Sequence, residues 1–363
     1  MLVRAAHHLL SPLGTAYGCI MRMRERLYAK GVSKSWIPWR PPAPCVSVGN
    51  IAMGGTGKTP LTAWILQHAA QCGVTPACLT RGYRAKPPEL PYRVRTDSNP
   101  AHSGDEPLLL ARACPQAHIL VDPKRTRSGR YAASHLHPGL YVLDDGFQHM
   151  AVARDLNLVL LRPEDLTRDW NRVFPAGYWR ESASALRRAD AFCIKAEPEM
   201  FHALGGLITD HLQPFGKPVF GFHLEGRDLI NLCTNKTIAN LDNAPYLFAA
   251  GIAHPDQAAD TATKFLGKAP EAIQSFRDHT NFNSDDLNRL TQHAEKSSAA
   301  HVVVTEKDAV KIAHHLPQKT ASATFPNIWA LRTQVVFSGL MFGPDGFSQF
   351  FTGWLQAAKE HFA

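Results

Sequence analysis

The stretch Gly54-Gly55-Thr56-Gly57-Lys58-Thr59-Pro60, entered from the apolar run Cys45-Val46-Ser47-Val48, decides how this chain folds. The apolar run has the length and composition of a short buried strand. Beyond the glycines, Leu61, Trp64, Ile65 and Ala69 recur at helical spacing, and Pro60 suits the first turn of that helix. A strand, a glycine loop and a helix in that order let backbone N–H groups and a helix N-terminus cradle phosphate. Met53, Gly54, Gly55, Thr56 and Gly57 are then the cradle, Lys58 adds a point charge, and the Thr59 hydroxyl reaches Mg²⁺. Strict spacing would place one more glycine at Ala52, which the chain lacks. Three glycines elsewhere in the loop still permit close backbone approach.

Outward from the loop, strands at 45–49, 76–80, 117–121, 140–145 and 156–162 alternate with helices at 59–72, 106–113 and 125–136. Such alternation predicts a mostly parallel sheet with helices on both faces, binding ligands beyond the carboxyl ends of its strands. The later half repeats the pattern, with strands at 190–195, 218–223, 246–250, 301–305 and 328–337 and helices near 256–266 and 284–297. The expected fold is a P-loop NTPase-type α/β/α sandwich plus a second α/β/α domain. The expected division is a basic amphipathic N-terminus (1–40), a nucleotide-binding domain (41–160), a second domain (161–340) and a C-terminal helix (341–363). The Arg- and Pro-rich stretch 163–188 reads as a connection or a substrate loop, and Phe347 to Phe362 as an amphipathic helix folding back on either domain.

Composition narrows the function. Seven cysteines without a C-x-x-C pair favour reduced thiols over a disulfide framework or a zinc site. A net charge of +8 suits an anionic partner: nucleic acid, a phosphorylated substrate or an acidic membrane. Within the first forty residues, Arg4, Arg22, Arg24, Arg26, Lys30, Lys34 and Arg40 face a single acid, Glu25, with Leu9, Leu10, Leu13, Tyr17, Ile20, Met21 and Leu27 interleaved. The uncharged span Ala5 to Met21 falls short of the ~20 apolar residues a crossing helix needs, and no small-residue cleavage site follows it. The pattern reads as a basic amphipathic helix on an anionic membrane surface, or as a helix packed on its own domain with a solvated basic face.

Several polar groups fall at strand ends. Asp144 and Asp145 close an apolar strand, the arrangement in which an acid near a P-loop holds Mg²⁺ directly or through water. Gln148 and His149 contact nucleotide or substrate, or cap the next element. Asp105 opens a helix, either as its N-cap or as a base taking a proton from an attacking hydroxyl. Arg81, Arg84 and Arg125 stand where phosphate recognition would place them. Asp278-His279 has no reading by itself, and Thr305-Glu306-Lys307-Asp308 reads as a solvated strand end.

Taken in order, these motifs resemble the tetraacyldisaccharide 4′-kinase family of Gram-negative bacteria. The resemblance rests on Gly49-Asn50 with the Gly-Gly-Thr-Gly-Lys-Thr-Pro loop, Arg81-Gly82-Tyr83, Gly104-Asp105-Glu106-Pro107 and Asp144-Asp145-Gly146-Phe147-Gln148-His149. It continues through Phe174-Pro175-Ala176-Gly177, Arg180-Glu181, Ala250-Gly251-Ile252-Ala253, Asp278-His279 and Thr305 to Lys311. It implies transfer of the ATP γ-phosphoryl group to the 4′-hydroxyl of a tetraacylated glucosamine disaccharide 1-phosphate, giving lipid IV-A in lipid A biosynthesis. It further implies ATP and Mg²⁺ as cofactors, two α/β/α domains joined by a short β linker, and work at the cytoplasmic face of the inner membrane. By position, Lys58 and Thr59 bind phosphate and metal, Asp144 and Asp145 fall at the metal site, Arg125 contacts phosphate, and Asp105 acts as base in a dyad with His279. The expected partners are the lipid disaccharide and an anionic membrane surface, not nucleic acid, with the chain a monomer. Two departures stand out: Thr280 replaces a family histidine, and Tyr178-Trp179 precede Arg180-Glu181 where the family has Pro-Leu. The competing readings are a membrane-associated switch ATPase, whose loop would carry lysine where this chain has Met53, and a kinase of a small soluble metabolite.

Overall fold

A computed structural model describes residues 2–277, 280, 282–313, 316 and 327–362. In chain order its strands are β1 (Cys45–Asn50), β2 (Pro76–Thr80), β3 (Tyr92–Val94), β4 (His118–Val121), β5 (Leu140–Asp144), β6 (Leu156–Leu161), β7 (Ala191–Lys195), β8 (Val219–Asn231), β9 (Thr237–Ile238), β10 (Tyr246–Ala250), β11 (Ala272–Ser275), β12 (His301–Thr305) and β13 (Asn327–Met341). They form one sheet in the order β11-β10-β12-β13-β8-β7-β6-β1-β5-β2-β4-β3, with β9 on β8. The P-loop strand β1 lies between β5 and β6, parallel to both. Each of its six residues is buried, as expected of a central strand covered on both faces.

Two parallel runs meet at the long antiparallel pair β8/β13. The first four residues of β8 continue the P-loop run beside β7, whereas its far end pairs with the start of β13, which carries β12 and β10 beside it. The second run therefore points the opposite way and is offset along β8 by about 20 Å, at ~3.4 Å per residue. Its carboxyl ends consequently face those of the first run across the middle of the ribbon. Register shifts at Arg332/Thr333 and Phe337/Gly339 interrupt the pairing there. Sequence patterning marked β8 only at 218–223, because its outer half alternates buried and exposed positions instead of running apolar.

The helix Lys58–Gln71 buries Leu61, Ile65, Leu66 and Ala69 against the sheet. On its outer side the C-terminal helix Phe347–Phe362 folds back, setting Phe347 and Phe351 edge-on to Trp64, while Thr352 Oγ1 sits 2.7 Å from His68 Nε2. The N-terminal helix spans Leu2–Lys30 and continues through Pro12. Gly14 lets it close on the 163–188 stretch, since a Cβ there would lie 2.8 Å from the Val173 carbonyl oxygen. Among the described residues, no helix is long and apolar enough to cross a membrane.

Candidate active site

One cleft of about 1810 Å³ opens between the facing strand ends. Its first wall is the P-loop. Gly54 and Gly57 sit at φ +107° and +85°, conformations that L side chains rarely adopt, so the loop's path depends on them. Gly49 is required for another reason: a Cβ would fall 2.5 Å from the Phe147 nitrogen, so the Asp144–His149 turn can press against β1. Lys58 Nζ reaches Asn50 Oδ1 at 3.2 Å and Asp145 Oδ1 at 3.6 Å.

The two aspartates differ sharply. Asp144 is 4 % exposed and accepts the hydroxyls of Thr62 (3.3 Å) and Thr80 (3.1 Å). Burial first, then the neighbouring Glu106 and Asp145 carboxylates, push it up to about 6. Asp145 is held at φ +48° and receives Arg180 Nη1 at 3.2 and 3.3 Å. Burial opposes its charge, but Lys58, Arg180 and Arg125 together outweigh burial and hold it below the usual carboxylate range. Arg125, almost wholly buried, donates to the Asp145 carbonyl at 2.9 Å. Its Nε, together with Asn50 Nδ2 and Thr56 Oγ1, is a buried polar atom without a hydrogen-bond partner. Orphaned donors beside a glycine loop suit an anion.

This donor set also fits Mg²⁺. Asp145 and Glu106 each bring a carboxylate near enough to raise Asp144, while among the described residues no three His, Cys, Asp or Glu stand together as a metal cage. An ion that keeps waters and phosphate oxygens as most of its ligands meets both conditions.

The opposite wall comes from the second run, whose helix Glu306–Ile312 packs against a helix of the first run that opens at Asp105. Asp105 is the first residue of the helix Asp105–Ala113; Gly104, at φ +80°, occupies the cap position, so Asp105 is not the N-cap. Lys311 Nζ approaches Asp105 Oδ2 at 3.9 Å, and Lys307 approaches Glu106 at 3.5 Å. The expectation of a solvated strand end for Thr305 to Asp308 is overturned. Asp308 is fully buried, accepting from the Gly251 N–H (2.8 Å) and the Thr305 hydroxyl (2.7 Å), with Lys311 at 3.2 Å. A Lys–Asp pair this buried persists only because its remaining bonds are supplied, including Lys311 to the Thr280 carbonyl at 3.1 Å. Thr280 turns its own hydroxyl back to the Arg277 carbonyl.

Gly54 through Thr59, Asp105, Arg125, Asp144, Asp145 and Gln148 all line this cleft, as do Arg81 and Arg84. Met53, whose N–H bonds the Tyr178 carbonyl, and His149 lie beside it. The His149 ring is driven down to about 3 by burial, with Arg125 and Arg154 adding to the effect. Asp278 and His279 lie outside the described residues. Sequence reasoning gave no role to Lys195, which lines the cleft at the end of β7 with its Cδ 3.2 Å from where a Gly57 Cβ would be. Burial lowers its pKa. The signal was available: it is the last residue of a predicted parallel strand.

Known proteins share this architecture. Residues 6–350 match the family model described as tetraacyldisaccharide-1-P 4′-kinase. A tetraacyldisaccharide 4′-kinase of Nitratidesulfovibrio vulgaris is 43% identical over 353 residues, covering 97% of this chain and 95% of the relative. That of Oleidesulfovibrio alaskensis is 45% identical over 337 residues, covering 93% and 90%. The solved structure of LpxK from Aquifex aeolicus in complex with ATP superposes with a TM-score of 0.71 at 25% identity, covering 99% of both chains.

Proposed function

The chain belongs to the tetraacyldisaccharide 4′-kinase family, and from that premise we propose how its cleft carries out the reaction. It is a kinase that uses ATP, with Mg²⁺, to phosphorylate the 4′-hydroxyl of a tetraacylated glucosamine disaccharide 1-phosphate, yielding lipid IV-A. One observation carries the mechanistic reading: the P-loop and Asp105 line the same cleft.

In this reading the loop Gly54 to Gly57 and Lys58 hold the triphosphate, with Arg125 and Gln148 beside it. Thr59, Asp144 and Asp145 would hold Mg²⁺, which would supply charge neutralisation at the phosphates. Asp105 takes the proton of the 4′-hydroxyl as its oxygen attacks, and Lys311 beside it orients that carboxylate. His279 as the partner of Asp105, and Met53 and His149 as nucleotide contacts, rest on the sequence. The two parallel runs are proposed as a nucleotide-binding and a second unit meeting at β8/β13.

The protein is proposed to work as a monomer on the cytoplasmic side of an anionic inner membrane. Leu13, Ile20 and Met23 lie on one outward stripe of the N-terminal helix, at 58%, 61% and 61% exposure, flanked by the exposed Arg22, Arg26 and Lys30. Apolar side chains rimmed by cations suit an acidic lipid surface. Tyr17 and Met21 of the same helix line the cleft, so the helix that would meet the lipid also borders the site where the sugar hydroxyl would react. The switch-ATPase alternative is not favoured.

The test is direct: purified protein, Mg-ATP and detergent-solubilised tetraacyldisaccharide 1-phosphate should give one added phosphoryl group by mass spectrometry. ATP hydrolysis with no phosphorylated lipid would overturn the reading.

A further inference from the structure

At the carboxyl end of β6, Arg162 stands beside the P-loop. Its side chain is 18% exposed, and its Nη1 lies 3.5 Å from where a Cβ on Gly54 would be. The rest of the guanidinium is clamped. Nε and Nη2 bond the two oxygens of Asp165 at 3.2 and 3.1 Å, and Asp165 also receives the Arg162 backbone N–H at 2.8 Å. Asp165 is fully buried, and its Oδ1 accepts the indole N–H of the equally buried Trp179 at 3.1 Å. Trp179 is one of the two residues at which this chain departs from the family pattern ahead of Arg180-Glu181.

A bidentate fork fixed on one edge leaves the other edge pointed in a set direction. Here that edge faces the glycine loop that cradles phosphate, and Arg162 lines the cleft. A glycine at position 54 leaves open the space between loop and guanidinium. Phosphoryl transfer spreads charge over the three equatorial oxygens of the moving group, and an arginine donated in cis neutralises it.

We infer that Arg162 is a catalytic residue of the phosphoryl transfer, its guanidinium Nη1 bonding the γ-phosphoryl oxygens of the nucleotide, with Asp165 and Trp179 as positioning residues. The inference rests on the kinase reading above. The 4′-oxygen forms a bond to the γ-phosphorus, the bond to the β,γ-bridging oxygen breaks with its electron pair leaving on ADP, and the hydroxyl proton passes to Asp105. Arg162 exchanges no proton in this sequence and only carries charge.

Two variants and one ligand pair test it. Arg162→Lys keeps the charge but loses the fork, and Arg162→Gln loses both. Each should lower kcat by at least about 10²-fold, with Gln at least as severe as Lys, while the Kd for ADP shifts less than about threefold. Binding of ADP with aluminium fluoride, a mimic of the transferring group, should be tight in the unaltered protein and weakened by a comparable factor in Arg162→Gln. Trp179→Phe, which removes one donor from Asp165, should reduce kcat by a few fold without raising KM for ATP. Wild-type kcat in Arg162→Lys, or ADP affinity falling in step with kcat, would overturn the inference. Absence of lipid phosphorylation by the unaltered protein would instead overturn the kinase reading, so the two failures are distinguishable.

Discussion

The two walls of the cleft are built by different means. The P-loop wall is largely local: Gly49 to Thr59 and Asp144 to His149 belong to two adjacent parallel strands, and short-range turns place their functional atoms. The wall where Asp105 of the first run meets Lys311 of the second is assembled at long range. Lys311 meets Asp105 only because β8 is long enough to offset the second parallel run and turn its strand ends back on the first. A wall made of contiguous motifs tolerates neighbours that vary, whereas a wall made by offset depends on sheet register. The first is expected to fail by losing phosphate contacts, the second by losing alignment.

The largest effect sharpens that contrast. Asp105→Ala should lower kcat by 10²-fold or more, about 3 kcal/mol of barrier, with ATP affinity nearly unchanged. Lys58→Ala should damage nucleotide binding and rate together. Single-turnover kinetics beside nucleotide titration separates the two, and a collapse of ATP affinity in Asp105→Ala would erase the distinction between walls.

Much of the P-loop wall was legible, and the reason is physical. A parallel strand buried on both faces shows as an apolar run, and the polar residue ending the run marks where ligands bind. Strands β1, β2, β4, β5 and β6 fell within a residue or so of the expected positions, and Asp144, Asp145 and Arg125 with them. The partnership of Lys311 with Asp105 was not legible, because nothing in Thr305 to Asp308 distinguishes three charges in solvent from three charges folded under another strand end. The small β3, β9 and β11 were missed because edge strands of two to four residues carry too little pattern. Trp179 was visible only as a departure, with no hint that its indole would hold Asp165.

Second in size is the pair at the offset wall. Lys311→Met leaves the fully buried Asp308 without its cation, although Thr305 and the Gly251 N–H still bond it. Stability should fall by ~3 kcal/mol, and kcat should fall with ATP affinity kept, since Asp105 loses the same neighbour. Urea unfolding with single-turnover kinetics reads both. Changed stability with an unchanged kcat would show that Lys311 serves only Asp308.

On the P-loop wall the matching test uses acid. His149 has its folded pKa depressed to about 3, so it stays neutral in the native protein while the unfolded chain takes up a proton near its ordinary 6.5. The stability it contributes is complete above about pH 6.5 and is lost as pH falls toward 3. Between pH 7 and pH 5 the loss amounts to ~2 kcal/mol. Comparison of unfolding curves for the unaltered protein and His149→Gln over that interval isolates it. Equal pH slopes would mean that the ring finds solvent in the native state.

The smallest effect concerns what braces the P-loop wall from behind. Glu25 on the N-terminal helix lies 3.2 Å from Arg188, an ion pair without hydrogen-bond alignment. Arg188 in turn bonds both oxygens of the buried Glu181, next to Arg180, and lies 4.5 Å over the Phe147 ring within the Asp144–His149 turn. One residue earlier, Arg24 donates to the Gln148 carbonyl of the same turn at 3.2 Å. The inner face of that helix therefore braces the Asp144–His149 turn, while its outer stripe is the proposed lipid contact. Because Glu25 is partly exposed and Arg188 keeps Glu181, Glu25→Ala should cost only ~1 kcal/mol of stability and lower kcat on detergent-solubilised lipid less than threefold. Vesicle co-sedimentation should not change, whereas Leu13→Glu with Ile20→Glu should abolish it and leave that detergent activity intact. If Glu25→Ala released the protein from anionic vesicles, the two faces of the helix would not be separable, and the brace behind the P-loop wall would itself depend on the membrane.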